Sequence, residues 1–375
     1  MSCMKIILAF ILVSLSISAL HAAESKPAWQ TEWERTVKAA EEEGQLTVYI
    51  SGYGAVIDSG VFQKAFPKIK VTSVTGTGTQ LAPRIVAERR GEKYLADVYS
   101  GGGTSLYQSL YLGKMLDPIT PALILPEVID PTKWWEGKQK YIDREGRYII
   151  VFEGNVAAGA SPAYNTNLLN PKDYKSLWDF LNPKLKGRIV SPDIRRVRGS
   201  GPSVQYLYYH KDLGPEFLRR FYGEMDVTLT ADVRQAMDWL AVGKFALSMP
   251  MQSSYTAKVK AQGLPVDEFD PHHFKEGASI SVAFGQLALM NRAPHPNAAK
   301  VFVNWLLSRE GQSAFQRIIS TPGDAKNSRR IDVPKDHIPP SERRVDGGKY
   351  FDAADDSKDI TPATKLMDEI FAGKK

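Results

Sequence analysis

The sequence has almost no cysteine. The single residue of this type among 375, Cys3, lies ahead of an apolar run near the N-terminus. If the N-terminal segment that contains Cys3 and the apolar run is removed, the remaining chain can form neither a disulfide nor a cysteine-based zinc site. Secreted eukaryotic domains usually rely on disulfides, so the composition fits a bacterial compartment outside the cytoplasm better.

Long apolar runs are also missing. The strongest one follows Lys5 and covers residues 6–20, about 15 residues, where a membrane-spanning helix needs ~20. Small residues, Ala22 and Ala23, come next and a polar stretch follows. This layout predicts a cleavable signal peptide over residues 1–23 and a soluble mature chain in the periplasm. A retained N-terminal anchor is the alternative.

Familiar catalytic and nucleotide-binding motifs are absent. The sequence contains no His-Glu-x-x-His and no Gly-x-Ser-x-Gly. Gly76-x-Gly78 is not a dinucleotide fingerprint because Leu81 stands where the third glycine belongs. Basic residues give a net charge of +6 but are spread along the chain, which argues against nucleic acid as a partner. A secreted enzyme with residues assembled only in space remains an alternative.

One segment could bind a metal. His272 and His273 follow Asp267, Glu268 and Asp270, which together offer nitrogen and oxygen ligands. Adjacent histidines usually point in different directions along an extended chain, so the pattern predicts no firm metal site. No cofactor is expected.

Strands and helices alternate in the first third of the chain. Strands are predicted at 46–50, 69–74 and 96–99. A helix at 32–43 precedes the first strand, and a helix through 61–66 and one at 81–90 lie between the strands. Such βαβ units favour a mostly parallel sheet covered by helices. Further helices are predicted at 204–209, 215–222, 298–307, 312–319 and 364–371. About 350 residues exceed what one hydrophobic core usually supports, so two domains are expected.

Three loops rich in Gly, Ser and Thr follow predicted strands. The carboxyl ends of parallel strands are where α/β sheets bind ligands, and backbone N–H groups and hydroxyls there suit an anion or a polar solute. Tight turns and helix caps are the alternative explanation. The candidate binding residues are Ser51, Gly52, Tyr53, Thr77, Thr79, Gln80, Ser100, Gly101 and Thr104.

Two later loops add candidates. Arg195, Arg198 and Ser200 precede a predicted helix and could bind a carboxylate or phosphate, unless they form a solvated basic loop. Ser254 and Tyr255 follow a predicted strand, and a buried structural tyrosine is the alternative there.

Several segments resemble the bacterial periplasmic solute-binding proteins of ABC importers, in the branch that contains ferric-ion binders. The similarity runs over residues 30–333 and is most specific in Ala293-Pro-His-Pro-Asn-Ala-Ala-Lys-Val-Phe302 and Asn304-Trp-Leu-Leu-Ser-Arg-Glu-Gly-Gln312. Segments 44–49, 96–100, 164–167 and 176–189 extend it.

The resemblance implies a type II periplasmic binding protein fold. Two α/β lobes, each a mixed, mostly parallel sheet flanked by helices, would be joined by two hinge crossovers with the ligand between them. Lobe 1 would comprise residues 24–155 plus 287–333, and lobe 2 residues 156–286. A C-terminal extension, residues 334–375, is expected to pack on lobe 1.

The resemblance also implies a function. The protein would capture a small solute and hand it to an ABC permease in the inner membrane, as a monomer and without catalysis. Ferric binders of this branch typically use two adjacent tyrosines, whereas the matching place in this sequence reads Ser254-Tyr255, with a single tyrosine. Ferric iron prefers anionic oxygen ligands, so the sequence favours a small anionic solute, with iron through Tyr255 as the alternative.

Overall fold

The computed structural model describes residues 26–196, 201–282, 284–345, 347–353 and 360–372. The predicted signal peptide, Arg198 and Ser200 lie outside these ranges. Within them, no helix is both long and apolar enough to cross a membrane.

The helices of the described chain include every one that the sequence pattern predicted. The α-helices are α1 Ala28–Glu43, α2 Ala55–Asp58, α3 Val61–Ala65, α4 Gly78–Arg90, α5 Pro126–Ile129, α6 Gly201–Tyr209, α7 Gly214–Glu224, α8 Val233–Ala241, α9 Ser253–Ala261, α10 Pro296–Leu307, α11 Arg309–Ile319 and α12 Thr361–Ala372. A π-helical segment covers Ser105–Tyr111, and 3₁₀ turns cover Thr120–Ala122, Pro131–Lys133, Trp135–Gly137, Pro171–Asp173, Leu177–Leu181, Pro183–Leu185 and Pro340–Glu342.

Helix boundaries follow local signals. α1 ends at Gly44, whose φ of +66° is the left-handed conformation that glycine adopts at little cost. α4 begins three residues earlier than predicted because Thr77 and Gln80 form a capping box.

The strands form three sheets. They are β1 Gln45–Ile50, β2 Lys70–Thr75, β3 Val98–Gly101, β4 Leu116–Asp117, β5 Lys140–Tyr141, β6 Ile150–Val151, β7 Glu153–Ala158, β8 Ala163–Asn165, β9 Ile189–Pro192, β10 Thr228–Thr230, β11 Leu247–Ser248, β12 Val266–Glu268, β13 Ala278–Ser281, β14 Gln286–Met290, β15 Asn327–Ser328 and β16 Tyr350–Asp352.

The seven-stranded sheet has the order β2-β1-β3-β14-β6-β5, with β4 also paired to β14. β1 runs parallel to β2 and β3, as the βαβ pattern predicted, whereas β14 is antiparallel to β3. The five-stranded sheet has the order β10-β9-β11-β8-β12 and is likewise mixed. Both sheets carry helices, so the predicted α/β class is confirmed. The resemblance predicts mostly parallel sheets, whereas only two of the six pairings in the seven-stranded sheet and two of the four in the five-stranded sheet are parallel.

The third sheet has four strands, in the order β15-β7-β13-β16. Its two central strands connect the other two sheets in sequence. β7 leads from the seven-stranded to the five-stranded sheet, and β13 leads back; they pair antiparallel, with Asn155 opposite Ser281. The chain therefore crosses twice through one short sheet.

Separate hydrophobic clusters support the two larger sheets. Beside the seven-stranded sheet, Phe62 packs edge-on against Phe302 and Trp305. Beside the five-stranded sheet, Phe217 stacks on Phe221 at 5.5 Å. Burying side chains of this size contributes about 1.5–3 kcal/mol each.

The C-terminal helix departs from expectation. The extension was expected to pack on the same body as residues 24–155, but α12 packs against α6 and α7, beside the five-stranded sheet. The cause is local: Leu366 and Met367 join the hydrophobic cluster of Phe217, and Arg195 pairs with Asp368. Residues 327–342 lie elsewhere, since β15 pairs with β7 in the third sheet and Glu342 contacts the turn at Gly323.

Candidate functional site

A cavity of about 630 Å³ lies beside the crossing strands β7 and β13 and β12 of the five-stranded sheet. Its lining mixes polar and apolar side chains, and the size lies within the range of small-molecule sites. The lining residues are Asn155, Val156, Ala157, Ser161, Pro162, Gln252, Ser253, Ser254, Glu268, Phe269, Pro271, Ser281, Val282, Phe284, Gly323, Asp324, Ala325, Ser341 and Glu342.

One wall of the cavity is a network around Asp324. Asn155 Nδ2 donates to Asp324 Oδ1 at 2.6 Å, and the Lys326 ammonium donates to the same carboxylate oxygen and, at 3.3 Å, to Asn155 Oδ1. The Lys326 side chain is only 3% exposed, whereas that of Asp324 is 47% exposed. The buried Lys326, which is not among the lining residues, therefore holds Asn155 and Asp324 in place. Asp324 presents its carboxylate to the cavity.

Glu342 holds the turn that carries Asp324. Its Oε1 accepts from the Gly323 N–H at 3.0 Å, and its Oε2 accepts from the Ala325 N–H at 2.9 Å. Glu342 thus lines the cavity with both oxygens anchored.

The first turn of α9 forms the facing wall. Gln252 precedes this helix, and Ser253 and Ser254 begin it; all three line the cavity. The N–H groups of Ser253 and Ser254 have no acceptor among the described residues, as is usual in a first helical turn. Such groups, with two hydroxyls beside them, suit an anion or a polar solute.

The two walls touch at Gly323. A Cβ at this position would lie 2.8 Å from the Ser253 carbonyl oxygen and 2.9 Å from the Ala257 Cβ, and Gly323 has a φ of +77°. Only glycine allows this approach. The turn that carries Asp324 therefore sits directly against the first turn of α9.

Glu268 is a carboxyl group between these walls. Burial raises its pKa, and the charges of Glu342 and Asp267 raise it further, while a hydrogen bond from Ser253 acts in the opposite direction. The acid therefore holds its proton to a higher pH than an exposed glutamate.

Phe284 supplies an aromatic surface to the cavity and is 37% exposed. Its ring packs edge-on against Tyr53, with centroids 5.7 Å apart. The Tyr53 hydroxyl donates to buried Glu153 at 2.9 Å, and Glu153 also accepts from the Gly285 N–H at 3.0 Å. Burial and the Glu153 charge raise the pKa of Tyr53 well above its ordinary value.

The predicted loop at Ser51 lies behind Phe284. A Cβ on Gly52 would be 2.3 Å from the Phe284 ring, so this glycine, with φ at +76°, makes room for the aromatic side chain. Ser51 and Tyr53 are buried. These residues support the cavity wall and are not among the lining residues.

The other two predicted loops lie apart from the lining. Thr77 and Gln80 cap α4, and Thr79 contacts the Thr77 hydroxyl at 2.9 Å. Ser100 is buried, and a Cβ on Gly101 would meet the Tyr99 ring at 2.7 Å. Thr104 is exposed ahead of the π-helical segment. Capping and close packing explain most of these residues, and a solute contact by them stays a prediction.

Arg195 differs from its predicted role. The expectation was a guanidinium open to an anion, but it donates to Asp193 Oδ1 and Oδ2 and to Asp368 Oδ1, each at 2.8 Å. It also stacks over Phe371 at 5.1 Å. Arg195 therefore links α12 to the loop that carries Asp193.

The two candidates on α9 separate. Ser254 lines the cavity, whereas Tyr255 is half-buried and packs against the cluster of Met251 and Val266. His272 and His273 also diverge, since His273 Nε2 lies 2.6 Å from the Tyr174 carbonyl oxygen and His272 stacks edge-on with Tyr350. Across the described ranges, no three His, Cys, Asp or Glu side chains are placed to hold a metal ion.

Most of the lining was missed by sequence reasoning. Asn155, Asp324 and Glu342 come from segments far apart and form no motif. A sequence signal existed only for the α9 start, where polar residues follow a strand.

A cavity beside two crossing strands that connect two mixed sheets is an arrangement that suits a ligand-binding protein. A sequence profile of the bacterial extracellular solute-binding protein family (SBP_bac_6) matches residues 116–338, more than half of the chain. The chain belongs to this family, as the sequence resemblance predicted.

Individual relatives are distant. The major ferric iron-binding protein of Neisseria meningitidis is 24% identical over 262 residues, which cover 67% of this chain and 71% of that protein. The structure of Trichodesmium IdiA (FutA) with iron and citrate matches with a TM-score of 0.61 and 21% identity, covering 87% of this chain and 99% of that one. AfuA from Actinobacillus pleuropneumoniae, with fructose-6-phosphate, matches with a TM-score of 0.51 and 20% identity, covering 87% and 97%. The structural matches establish the fold.

Proposed function

We propose that the protein is the periplasmic receptor of an ABC importer, which captures a small solute in the cavity and delivers it to the membrane permease. The observation that carries this proposal is the cavity itself, which is lined by the crossing strands β7 and β13, by β12 of the five-stranded sheet, by the start of α9 and by the turn that carries Asp324. Family membership supports it.

The two larger sheets are proposed to be lobes that close on the solute. Lobe 1 would be residues 24–155 plus 287–333, lobe 2 residues 156–286, and the hinge the paired strands β7 and β13. Support comes from the separate hydrophobic clusters and from the contact of Gly323 with the first turn of α9. Opening would separate these walls and release the solute.

The solute is proposed to carry an anionic group held by the first turn of α9. The N–H groups and hydroxyls of Ser253 and Ser254 support this placement. Two structural neighbours are recorded with acids, citrate and fructose-6-phosphate, which is consistent with it.

Ferric iron is the second candidate for the solute. The names of the Neisseria and Trichodesmium relatives favour it, and the cavity lining includes carboxylates, the type of ligand that ferric iron prefers. Among the described residues, however, no three such side chains are placed to hold a metal ion. Against it, Tyr255 packs into a hydrophobic cluster, away from the lining. We expect the protein to act as a monomer, without catalysis, and to leave its solute chemically unchanged.

A melting experiment tests the proposal. A solute that binds only the folded protein raises the melting temperature, and the shift grows with the logarithm of the free solute concentration above its Kd. The Ser254→Trp variant fills the cavity from an exposed position, and Lys258→Trp places the same side chain one turn further along α9, outside the lining. Solutes that stabilise wild type and Lys258→Trp but not Ser254→Trp support the proposal. Equal shifts in all three proteins, or no shift with any periplasmic extract, contradict it.

A further inference from the structure

One strand of the short crossing sheet comes from the C-terminal part of the chain. β16 lies beyond residue 338, where the match to the family profile ends. It pairs in parallel with β13, and Tyr350 lies opposite Ala278 and Asp352 opposite Ile280. β13 in turn pairs with β7. A third segment of the chain therefore lies beside the two strands that connect the proposed lobes.

The backbone of β16 is bonded to β13 at both of its ends. The Ala278 N–H donates to the Lys349 carbonyl oxygen at 3.1 Å, and the Ala353 N–H donates to the Ile280 carbonyl oxygen at 2.7 Å. Gly277, with a φ of +85°, makes the first of these contacts possible, because a Cβ there would lie 2.7 Å from the Lys349 carbonyl oxygen. The sequence of β13 is thus adapted to the close approach of β16.

Asp352 links β16 to proposed lobe 1. Nη2 of Arg329 lies 3.0 Å from each carboxylate oxygen of Asp352, and the Lys140 ammonium lies 3.6 Å from Asp352 Oδ2. Lys140 is on β5 of the seven-stranded sheet, and the Arg329 N–H donates to the Phe152 carbonyl oxygen at 2.9 Å. Because the Arg329 and Asp352 side chains are only 5% and 19% exposed, water screens this contact less than it screens a surface ion pair.

Phe351, the neighbour of Asp352, links β16 to proposed lobe 2. Its ring packs edge-on against Tyr206, with centroids 5.5 Å apart, and lies 6.1 Å from the His210 ring. Tyr206 is fully buried on α6. Successive side chains of a strand point to opposite sides, which explains how adjacent residues reach different lobes. α12, further along the chain, packs against α6 and α7 of the same lobe.

Tyr350 contacts both proposed lobes. Its ring meets Trp135 edge-on at 5.8 Å and His272 edge-on at 5.6 Å. Trp135 belongs to proposed lobe 1 and also stacks under Arg329 at 5.1 Å, whereas His272 belongs to proposed lobe 2. A rotation that moved Trp135 away from His272 would break one of the two ring contacts.

We infer that β16 is a strap across the hinge, which favours the close arrangement of the lobes and restrains their opening. This inference rests on the lobes and hinge of the proposed function. Opening must break the contacts of Asp352 with lobe 1 or those of Phe351 with lobe 2, so the free energy of those contacts adds to the free energy of opening. A solute held between the lobes would leave more slowly for the same reason.

The distance between the lobes tests the inference, measured by double electron–electron resonance on the purified, dialysed protein. Cys3→Ser removes the single native cysteine, and nitroxides on Lys38→Cys in α1 and Arg234→Cys in α8 report from exposed positions on the two lobes. Asp352→Asn keeps the shape of the side chain and removes its charge. We expect the population with a label distance more than about 2 Å longer to rise about 10-fold, as the loss of a charged hydrogen bond implies.

A second variant weakens the strap from its other side. Phe351→Ala removes the ring that packs on Tyr206 but keeps Asp352, and it should produce the same longer distance. Asp336→Asn makes the same change as Asp352→Asn at a 71% exposed side chain, and should leave the distances of wild type unchanged.

Two results would overturn the inference. Asp352→Asn and Phe351→Ala could both show the distances of wild type, or both could melt at a lower temperature without any longer population, which would make β16 a contributor to stability alone. The receptor function would survive either result if protein purified from cells carries a small solute, and it would fail only if no solute is carried.

Discussion

The Asn155 amide donates a 2.6 Å hydrogen bond to the carboxylate of Asp324, although 169 residues separate them. Asn155 lies on β7, which crosses between the sheets, and Asp324 lies on the turn after α11. The bond therefore ties a crossing strand to a wall of the cavity. Solute contacts at Asp324 and the position of the crossing strand are coupled through it.

Gly323 should control how closely the two walls approach. Gly323→Ala adds a Cβ against the Ser253 carbonyl oxygen at a positive φ, so we expect lower stability, by about 1–2 kcal/mol, and weaker solute binding. Gly263→Ala has a similar φ, +78°, with open space around it, and should show the backbone cost alone. Chemical denaturation measures the stability of both variants, and small-angle scattering measures how closely the two walls approach. Equal behaviour of the two variants would show that the contact at Gly323 is unimportant.

Glu268 should make stability depend on pH. Its raised pKa means that ionisation costs free energy in the folded protein, so stability falls as pH rises through the folded-state pKa. Glu268→Gln removes this cost. We expect the variant to melt above wild type at pH 8 and to lose that advantage below about pH 4.3, the ordinary pKa of glutamate.

The control for Glu268 is Glu42→Gln, which removes a carboxylate from the exposed face of α1. A melting profile of Glu268→Gln that parallels wild type at every pH would show that the buried carboxyl is not destabilising.

Tyr53 should stabilise the support beneath Phe284. Tyr53→Phe removes the hydroxyl that donates to buried Glu153 while it keeps the aromatic contact, and should cost about 1–3 kcal/mol. In Tyr208→Phe, the hydroxyl removed has no partner in the described part of the chain, and little change is expected. Urea denaturation compares the two, and an equal loss would argue against the Glu153 bond.

Arg195 should act on stability and not on solute affinity. Arg195→Ala removes its bonds to Asp193 and Asp368, so α12 should detach more readily, at a cost of about 1.5–3 kcal/mol. Arg196→Ala, at a 73% exposed side chain 3.6 Å from Asp193, is the control. Proteolysis at the C-terminus follows α12. A lost solute response in a fully folded Arg195→Ala protein would restore the anion-binding role predicted from sequence.

The parts of the fold that depend on local pattern could be predicted from sequence. α1 and its stop at Gly44, the strand at 46–50 and the pair α10 and α11 all follow periodicity and capping signals. The position of α12 could not be predicted, because it depends on Arg195 pairing with Asp368 across 173 residues.

The candidate site was predictable only in part. Polar residues after strands drew attention to Ser254, which lines the cavity, but also to Thr77 and Gln80, which serve as helix caps. Capping and ligand binding use the same residue types for the same reason, since both satisfy free N–H groups. The network of Asn155, Asp324 and Lys326 needs tertiary contacts and leaves no local signal.

Native mass spectrometry of the protein purified directly from cells tests the central claim, that a small solute is held in this cavity. Wild type and Lys258→Trp should each carry one small molecule that is released unchanged on denaturation. Ser254→Trp should carry none, because its side chain fills the cavity. A wild-type protein without any bound mass, or the same mass retained by Ser254→Trp, would contradict the claim.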